Sequence, residues 1–449
     1  MAFIRNRLRA HVVRLLTLPA WRSLRRKVFE RLQRLRGDGA TIAYFHQADD
    51  PYSHLCAQLL GRITRDYRVE ILAHLVPSPD DSAAPDRQRL ALWSRRDALA
   101  LARDCGIATP QAFGTPTAEN LAAAESALAA AIAAGRFVDQ AAAISDALWA
   151  GDQRALAAYA CAPGAAHAAK QSGAARRKRL GHYLGATFYY CGEWYWGVDR
   201  LHYLEQRLRA QGLCRDPAQA PIAPAREIAL APRRRADGAP APTPCVLHFF
   251  FSFRSPYSYL ALPRVRQLAA HYGARLELRF VLPMVMRGLA VPREKTLYIL
   301  ADAAREAQRA GMRFGYLVDP LGAPVERGYA LLHRAMAAGR GVEMAQSFLQ
   351  GVWADGIDAG TDSGLLRIVG RAGLDAAFVQ AALADASWRA LAEANRVALL
   401  AMDLWGVPSF RIDDRPGHWG QDRLWLLERD LIAAEAAHES RDNRGFHLP

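Results

Sequence analysis

Ser255 is the residue whose type and position could most directly support chemistry. It precedes Pro256 and Tyr257 and follows an aromatic-rich segment typical of a buried strand, so it should stand where a helix begins. The start of a helix offers backbone N–H donors and the positive end of the helix dipole, and both attract an anion. A hydroxyl there can add a hydrogen bond to a bound anion. Serine is also a common N-cap without any chemical role, and position alone favours that simpler interpretation.

Two other kinds of catalytic site are not expected. A dithiol site needs cysteines where the first helix begins, but residues 254–257 read Arg-Ser-Pro-Tyr and residues 49–52 read Asp-Asp-Pro-Tyr. Cys56 lies too far along the helix and is interpreted as a small buried hydrophobe. The thirteen histidines form no His-x-x-x-His pair with an acidic partner, so no metal site is predicted.

The elements that would position Ser255 are written twice in the chain. Residues 44–55 read YFHQADDPYSHL and residues 249–260 read FFFSFRSPYSYL. Further on, residues 194–205 read WYWGVDRLHYLE and residues 417–428 read GHWGQDRLWLLE. Each pair gives a strand, a turn and the opening of a helix, in the same order, so the sequence predicts two copies of one fold.

A proline-rich stretch separates the copies, because residues 215–244 contain seven prolines, a composition that resists helix and strand. We therefore predict five parts: a basic N-terminal arm 1–38, a first domain 39–214, a linker 215–244, a second domain 245–435 and a polar tail 436–449.

The second domain is predicted to belong to the α/β class. Strands are expected at 246–251, 275–281 and 409–412, the last of them in a hairpin that ends before Trp419. Helices are expected at 256–271, 295–311 and 422–433, with apolar helical periodicity from Val325 to Met402. Strand–helix–strand, then helices, then hairpin–helix is the order of a thioredoxin-type fold with a helical insertion. The fold prediction is two tandem thioredoxin-like domains, each with such an insertion.

The composition is that of a globular protein, with 449 residues, of which 51% are hydrophobic and 23% charged. The net charge of +14 is concentrated in residues 1–36, where ten arginines and Lys27 against Glu30 make +10. The basic character therefore describes an arm more than a domain, and no nucleic-acid partner is expected. The six cysteines include no tight spacing, which fits a reducing, cytoplasmic compartment.

The arm itself shows two apolar helical stripes interrupted at Pro19. One stripe contains Ile4, Leu8, Val12, Leu15 and Leu16, and the other contains Trp21, Leu24, Val28, Leu32 and Leu35. Such a helix can lie on an anionic membrane surface, or it can pack on its own domain with its charges in water. The arm shows no signal-peptide pattern. If the protein attaches to a membrane surface, this arm is the segment expected to make the contact.

Three segments of the second domain resemble a known family. FFFSFRSPYSYLAL at 249–262, VPREKTLYILADAAREAQRAG at 291–311 and WGVPSFRIDDRPGHWGQDRL at 405–424 are similar to the 2-hydroxychromene-2-carboxylate isomerases and the kappa-class glutathione transferases. These are members of the DsbA-like thioredoxin superfamily. The first domain resembles a diverged second copy, as in a tandem duplication.

The resemblance implies a glutathione site. Ser255 would face the glutathione sulfur, Val407 would pair its backbone with the tripeptide, and Pro408 would be a cis-proline. Gln421 and Asp422 would hold the γ-glutamyl end. A trans Pro408 that only begins a strand and an Asp422 that only caps a helix are the alternatives.

Three further residues are assigned to the substrate pocket. Arg254 would add positive potential beside the sulfur, Tyr257 follows at the helix start, and Arg287 would replace an asparagine that the family has after the second strand. The first domain departs from the pattern, because Asp50 stands where the serine is expected and residues 184–187 hold no proline. That domain is expected not to activate glutathione and to serve as a packing partner, as a second subunit does in family dimers. Pairing of the two domains within one chain and a homodimer both stay open.

The function implied is glutathione-dependent isomerisation or conjugation of a hydrophobic, aromatic small molecule. One alternative is a thiol–disulfide oxidoreductase that uses glutathione. The other is a non-catalytic binding module that attaches to a membrane surface through residues 1–36.

Overall fold

The computed structural model describes residues 2–35, 39–159, 164–231 and 245–445. Within these ranges, the side chains of 2–9 and 436–445 are not described, which leaves out those of Ile4 and Leu8 in the predicted arm stripe. Parts of the predicted linker and tail, 232–244 and 446–449, also lie outside the described residues. None of the described helices is both long enough and apolar enough to cross a membrane.

The chain divides into two compact units. The first unit comprises Arg22–Ala225 and Val291–Tyr298. The second unit comprises Met1–Trp21, Arg226–Ala290 and Ile299–Pro449.

Two helices form the N-terminal arm, α1 Ala2–Thr17 and α2 Pro19–Leu35. The interruption predicted at Pro19 is confirmed, because α1 ends before it and α2 begins on it. Proline suits a first helical turn, where its missing N–H has no partner to lose.

The first unit holds a four-stranded sheet with helices around it. Its strands are β1 Thr41–His46, β2 Glu70–Leu75, β3 Thr187–Tyr190 and β4 Glu193–Trp196, in the order β2-β1-β3-β4. Strand β1 runs parallel to β2 and antiparallel to β3, and β3 runs antiparallel to β4. Its helices are α3 Pro51–Asp66, α4 Arg87–Cys105, α5 Ala118–Ala133, α6 Phe137–Ala150, α7 Gln153–Ala157, α8 Ala165–Leu180 and α9 Gly197–Ala210.

The sheet of the second unit has the same plan. Its strands are β5 Val246–Phe251, β6 Arg275–Phe280, β7 Ser409–Ile412 and β8 His418–Trp419, in the order β6-β5-β7-β8. The parallel and antiparallel pairings repeat those of the first sheet. The remaining helices are α10 Pro256–Tyr272, α11 Arg293–Arg309, α12 Ala323–Ala337, α13 Gly341–Ala354, α14 Asp362–Arg371, α15 Ala376–Leu383, α16 Trp388–Leu400 and α17 Leu424–Gly445.

Most of the predicted elements of the second domain are confirmed, with small shifts at their ends. The strand at 246–251 and the helix that opens at Pro256 are present as predicted. The predicted helix 295–311 lies at Arg293–Arg309. The closing helix begins at Leu424 and not at Asp422, because a 3-10 turn occupies Gln421–Arg423.

A tyrosine–aspartate contact occurs in each unit at the same place. The Tyr52 hydroxyl donates to Asp97 at 2.6 Å, and the Tyr257 hydroxyl donates to Asp302 at 2.8 Å. In both units the partners are 45 residues apart in the chain. Both tyrosines stand in the first turn of the helix that follows the first strand, and both aspartates are buried.

A tyrosine–glutamate contact also recurs at the far end of that helix. In the first unit, the Tyr67 hydroxyl donates to Glu205 of α9 at 2.7 Å. In the second unit, the Tyr272 hydroxyl donates to Glu428 of α17 at 2.8 Å. These shared contacts and the matching sheets give the two units one architecture, that of the predicted α/β fold.

Candidate functional site

Sheet pairing explains why distant parts of the second unit meet at Ser255. Strands β5 and β7 are antiparallel, with Phe250 opposite Ser409. The end of β5 therefore lies beside the start of β7. Ser255 follows the first of these strands, and the Val407–Pro408 peptide bond, which is cis, precedes the second.

Ser255 is the N-cap of α10. Its backbone is extended, with φ −100° and ψ 114°, and its Oγ accepts a hydrogen bond from the Ser258 N–H at 3.1 Å. The same hydroxyl points its own donor at the Val407 carbonyl oxygen, 3.4 Å away. That distance is at the outer limit of a hydrogen bond, so a better acceptor could take its place. Ser255 is partly exposed, which leaves it within reach of a ligand.

The loop before Pro408 is tightly packed. A Cβ added to Gly406 would come within 2.0 Å of the Trp419 ring, so only glycine fits there. The ring of Trp419 in turn meets that of Trp405, with centroids 4.9 Å apart. This packing fixes the loop in front of the candidate site.

Arg287 bridges the second strand to this loop. It ends the 3-10 turn Met284–Arg287, and its Nη2 donates to the Trp405 carbonyl at 3.1 Å. Burial lowers the pKa of its guanidinium, and the nearby Arg396 lowers it further. The predicted pocket residue therefore lies beside the loop, where it supports the backbone two residues before Val407.

Arg254 is paired with a carboxylate. Its Nε and Nη2 donate to the two oxygens of Asp319 at 2.8 and 2.9 Å, a bidentate ion pair. The Asp319 carboxylate thus largely neutralises the charge of Arg254, which weakens the positive potential that was predicted beside the sulfur.

The Tyr257 hydroxyl points toward α11 and donates a hydrogen bond to Asp302 there. Asp302 also pairs with Arg305, and both are buried. Tyr257 itself is partly exposed. The first turn of α10 is therefore tied to α11 by a hydrogen bond to a buried carboxylate.

Gln421 is buried, with 2% of its surface exposed, and its amide is occupied by protein groups. Its Oε1 accepts from Arg264 of α10 at 2.9 Å, and its Nε2 donates to Glu306 at 2.9 Å and to Asp422 at 2.7 Å. Asp422 is partly exposed. Of this predicted pair, Asp422 is the one in reach of a ligand, and Gln421 holds its carboxylate.

The predicted residues therefore form two groups on α10. Ser255, Val407 and Pro408 meet at its first turn, while Gln421 and Asp422 attach further along through Arg264. Sequence reasoning did not single out Arg264, Asp302 or Glu306, because an isolated charge on a helix carries no local motif. The repeated spacing of Tyr and Asp in the two copies was the one signal that could have identified Asp302.

The corresponding position of the first unit is built differently. Asp50 caps α3 and accepts from the Tyr52 and Ser53 N–H groups at 3.2 and 3.1 Å and from the Ser53 hydroxyl at 2.9 Å. Although the residue is partly exposed, desolvation raises the pKa of its carboxyl to about 7, against hydrogen bonds from Ser53 and Tyr52 that lower it. Cys56 on the same helix is fully buried, and burial raises the pKa of its thiol, so the thiol is unreactive.

Comparisons with known proteins agree with this fold. Residues 246–431 match the family model of the DSBA-like thioredoxin domain. The 2-hydroxychromene-2-carboxylate isomerase of Pseudomonas putida is 25% identical over 191 residues, which cover 41% of this chain and 92% of that protein.

Two solved structures are also similar. One is a 2-hydroxychromene-2-carboxylate isomerase, 23% identical, with a TM-score of 0.37 over 44% of this chain and 98% of that one. The other is the cytosolic disulfide reductase DsbM from Pseudomonas aeruginosa with GSH, 20% identical, with a TM-score of 0.34 over 43% of this chain and 98% of that one. Residues 246–431 thus match the DSBA-like thioredoxin domain, and about 41% of the chain is similar to a 2-hydroxychromene-2-carboxylate isomerase.

Proposed function

We propose that the second unit binds glutathione at the start of α10 and uses its thiolate to isomerise or conjugate a hydrophobic, aromatic small molecule. The observation that carries this proposal is the meeting of the Ser255 hydroxyl, at a helix N-terminus, with the Val407 carbonyl 3.4 Å away. Where a dithiol enzyme needs a cysteine, this site presents a hydroxyl. The isomerase relatives support the same class of reaction.

The chemistry needs glutathione as a thiolate. A free thiol has a pKa of about 8.5, so most of it is protonated at neutral pH. The Ser255 hydroxyl turns from the Val407 carbonyl to the sulfur and donates to it, and the N-terminus of α10 adds its dipole. A charge-assisted hydrogen bond is worth about 1.5–3 kcal/mol, enough to lower a thiol pKa by about one to two units.

In the isomerisation, the thiolate adds to an electrophilic carbon of a conjugated substrate and displaces a π-electron pair onto the conjugated oxygen. The former double bond is now single and rotates. The electron pair then returns, the carbon–sulfur bond breaks and the thiolate leaves. Glutathione is unchanged, and one difficult step has become two easier ones.

The rest of the tripeptide lies along the loop and the last helix. Val407 pairs its backbone with the extended peptide, as an added strand would. Asp422 is partly exposed, and Gln421 holds its carboxylate. This carboxylate accepts a hydrogen bond from the ammonium group of the γ-glutamyl end. Arg287 and Tyr257 act from outside the peptide, by holding the loop and the first turn of α10 in position.

The first unit does not activate glutathione. The Asp50 carboxylate would repel a thiolate when it is ionised, and its oxygens already accept three hydrogen bonds from the start of α3. The matching sheets and the repeated Tyr–Asp and Tyr–Glu contacts support a tandem duplication in which this copy has a structural role.

Calorimetric titration with glutathione tests the proposal. Wild type should release heat on binding, and Ser255→Ala should weaken binding by about tenfold, the value of one modest hydrogen bond. Alanine also removes the N-cap, so two further variants separate the roles. Ser255→Gly keeps an acceptable cap without the hydroxyl and should resemble alanine, whereas Ser255→Thr keeps both and should resemble wild type. Absence of binding by the folded wild-type protein would refute the proposal.

A further inference from the structure

Helix α2 packs on the first unit with its polar side. Arg26 donates to Glu193 at 2.8 Å, and Glu30 accepts from Arg207 at 2.9 and 3.0 Å. Gln33 accepts from the Cys191 thiol at 2.7 Å. These positions are spaced by three or four residues, so they lie on one side of the helix.

Phe29 fixes the same side at close range. A Cβ added to Gly192 would come within 2.7 Å of its ring, so the turn between β3 and β4 accepts the ring only because Gly192 has no side chain. The contacts of Arg26, Phe29, Glu30 and Gln33 thus hold one side of the helix against the unit.

The apolar side of α2 consequently faces outward. This outer face, which consists of Leu24, Val28, Leu32 and Leu35, follows the helical period. Each of its residues is between 43% and 74% exposed. An amphipathic helix is normally stabilised on its domain by the burial of its apolar side chains. Helix α2 has the opposite orientation, so its apolar stripe is available to bind another surface.

Positive charge borders this stripe. Arg25, Lys27, Arg31 and Arg34 are exposed on the same helix. The one acidic residue of α2, Glu30, faces the unit and binds Arg207. Exposed cations beside an apolar stripe match an anionic lipid surface, where the stripe enters the boundary between headgroups and acyl chains and the cations meet lipid phosphates. A second copy would instead bring like charges together, because a two-fold contact pairs the same face with itself.

We propose that the outer face of α2 is a peripheral membrane-binding surface specific for anionic lipid. The helix lies in the plane of the interface and does not enter it end-on, because only one of its sides is apolar. This activity is separate from the glutathione site, since α2 belongs to the first unit from Arg22 onward.

Co-sedimentation of the full chain with lipid vesicles tests this proposal. One set of vesicles is phosphatidylcholine alone, and in the other about one third of the lipid is phosphatidylglycerol. Wild type should bind the anionic vesicles at least about tenfold more tightly than the neutral ones and should be released by salt, which screens charge. Failure of the folded wild-type protein to bind anionic vesicles at low salt would overturn the proposal.

Variants identify the surface. The triple variant Leu24→Ser, Val28→Ser, Leu32→Ser should lose about tenfold or more of the binding, since it removes the apolar contact. The charge variant Arg25→Glu, Arg31→Glu should lose the preference for anionic lipid.

A matched control replaces three equally exposed apolar residues on other helices: Leu92→Ser, Leu366→Ser and Val397→Ser. This control should bind vesicles as wild type does. Equal loss in the control, or undiminished binding in the α2 variant, would contradict the proposal. The proposal would also be contradicted if wild type did not bind vesicles and the α2 variant changed its oligomeric state. The outer face of α2 would then be an interface between copies of the chain.

Discussion

At the scale of single residues, the two units differ in what they place at the start of the first long helix. Ser255 and Asp50 both cap a helix that opens with Pro-Tyr-Ser. The serine keeps a hydroxyl proton that reaches only a distant carbonyl. The Asp50 carboxylate already accepts hydrogen bonds from the start of α3. The same backbone arrangement therefore presents a hydroxyl in one unit and a carboxylate in the other.

Asp50 should make stability depend on pH. Its folded-state pKa of about 7 lies above the ordinary value of 3.8, so the folded protein holds a proton that the unfolded chain has released. Stability is consequently lost as pH rises between those two values. Asp50→Asn, which keeps the cap, should raise the free energy of unfolding by about 1–3 kcal/mol at about pH 8 and change it little near about pH 4.

Denaturant unfolding at both pH values measures this effect. Asp375→Asn is the matched control, because Asp375 also caps a helix, α15, through an exposed hydrogen bond to the Phe378 N–H. A gain at Asp50 that is the same at both pH values, or one that the control reproduces, would show that burial of the carboxylate is not the cause.

Residue types predicted which residues would form the candidate site, but not which partners each side chain would have. Ser255 could be identified because its signal is local, a serine before Pro-Tyr at a helix start. The pairing of Arg254 with Asp319 and the burial of Gln421 against Glu306 could not be, because each depends on a partner far along the chain. The residues of the motif are thus in place, while their electrostatic roles are set by tertiary contacts.

At the scale of elements, the loop that carries Val407 is positioned by packing on both sides. Trp419 closes over Gly406, and Arg287 holds the Trp405 carbonyl. A short, constrained loop can present its backbone to a peptide at little entropic cost, since it need not become ordered on binding.

Gly406→Ala should disturb this loop. Its Cβ would meet the Trp419 ring at 2.0 Å, an overpacking that should cost about 1–3 kcal/mol of stability and weaken glutathione binding. Thermal unfolding and calorimetry measure the two effects. Gly370→Ala is the matched control, because a Cβ there meets nothing within 4 Å and alanine favours its helix, α14. Unchanged binding in a destabilised Gly406→Ala protein would mean that the loop does not contact the ligand.

At the scale of the whole molecule, the described part of the chain contains two sheets of one plan, and the candidate site lies in the second unit. The order of strands could be predicted, because the aromatic strand and the Trp-Gly hairpin appear twice in the sequence. The attachment of the proline-rich stretch could not. Glu205 accepts from the Ile222 N–H in the first unit, and Glu428 accepts from the Ala229 N–H in the second. A stretch with no regular pattern of its own is thus bound by backbone hydrogen bonds to buried carboxylates.

This asymmetry predicts the stoichiometry of binding. Calorimetry should give one glutathione per chain, because only the second unit combines a hydroxyl at the helix start with a proline after the facing carbonyl. Asp50→Ala should leave that stoichiometry unchanged. Two equivalents per chain, reduced to one by Asp50→Ala, would assign a glutathione site to the first unit and contradict its structural role.

If the Ser255 hydroxyl stabilises a glutathione thiolate, the pKa of the bound thiol should be lowered. Ultraviolet absorbance of the thiolate, followed through a pH titration of the complex, measures it. Wild type and Ser255→Thr should show a pKa of the bound thiol about one to two units below that of free glutathione. In Ser255→Gly, this pKa should rise most of the way back to that of free glutathione. A bound thiol with the pKa of free glutathione in wild type, or an equal shift in Ser255→Gly, would show that the Ser255 hydroxyl does not stabilise the thiolate.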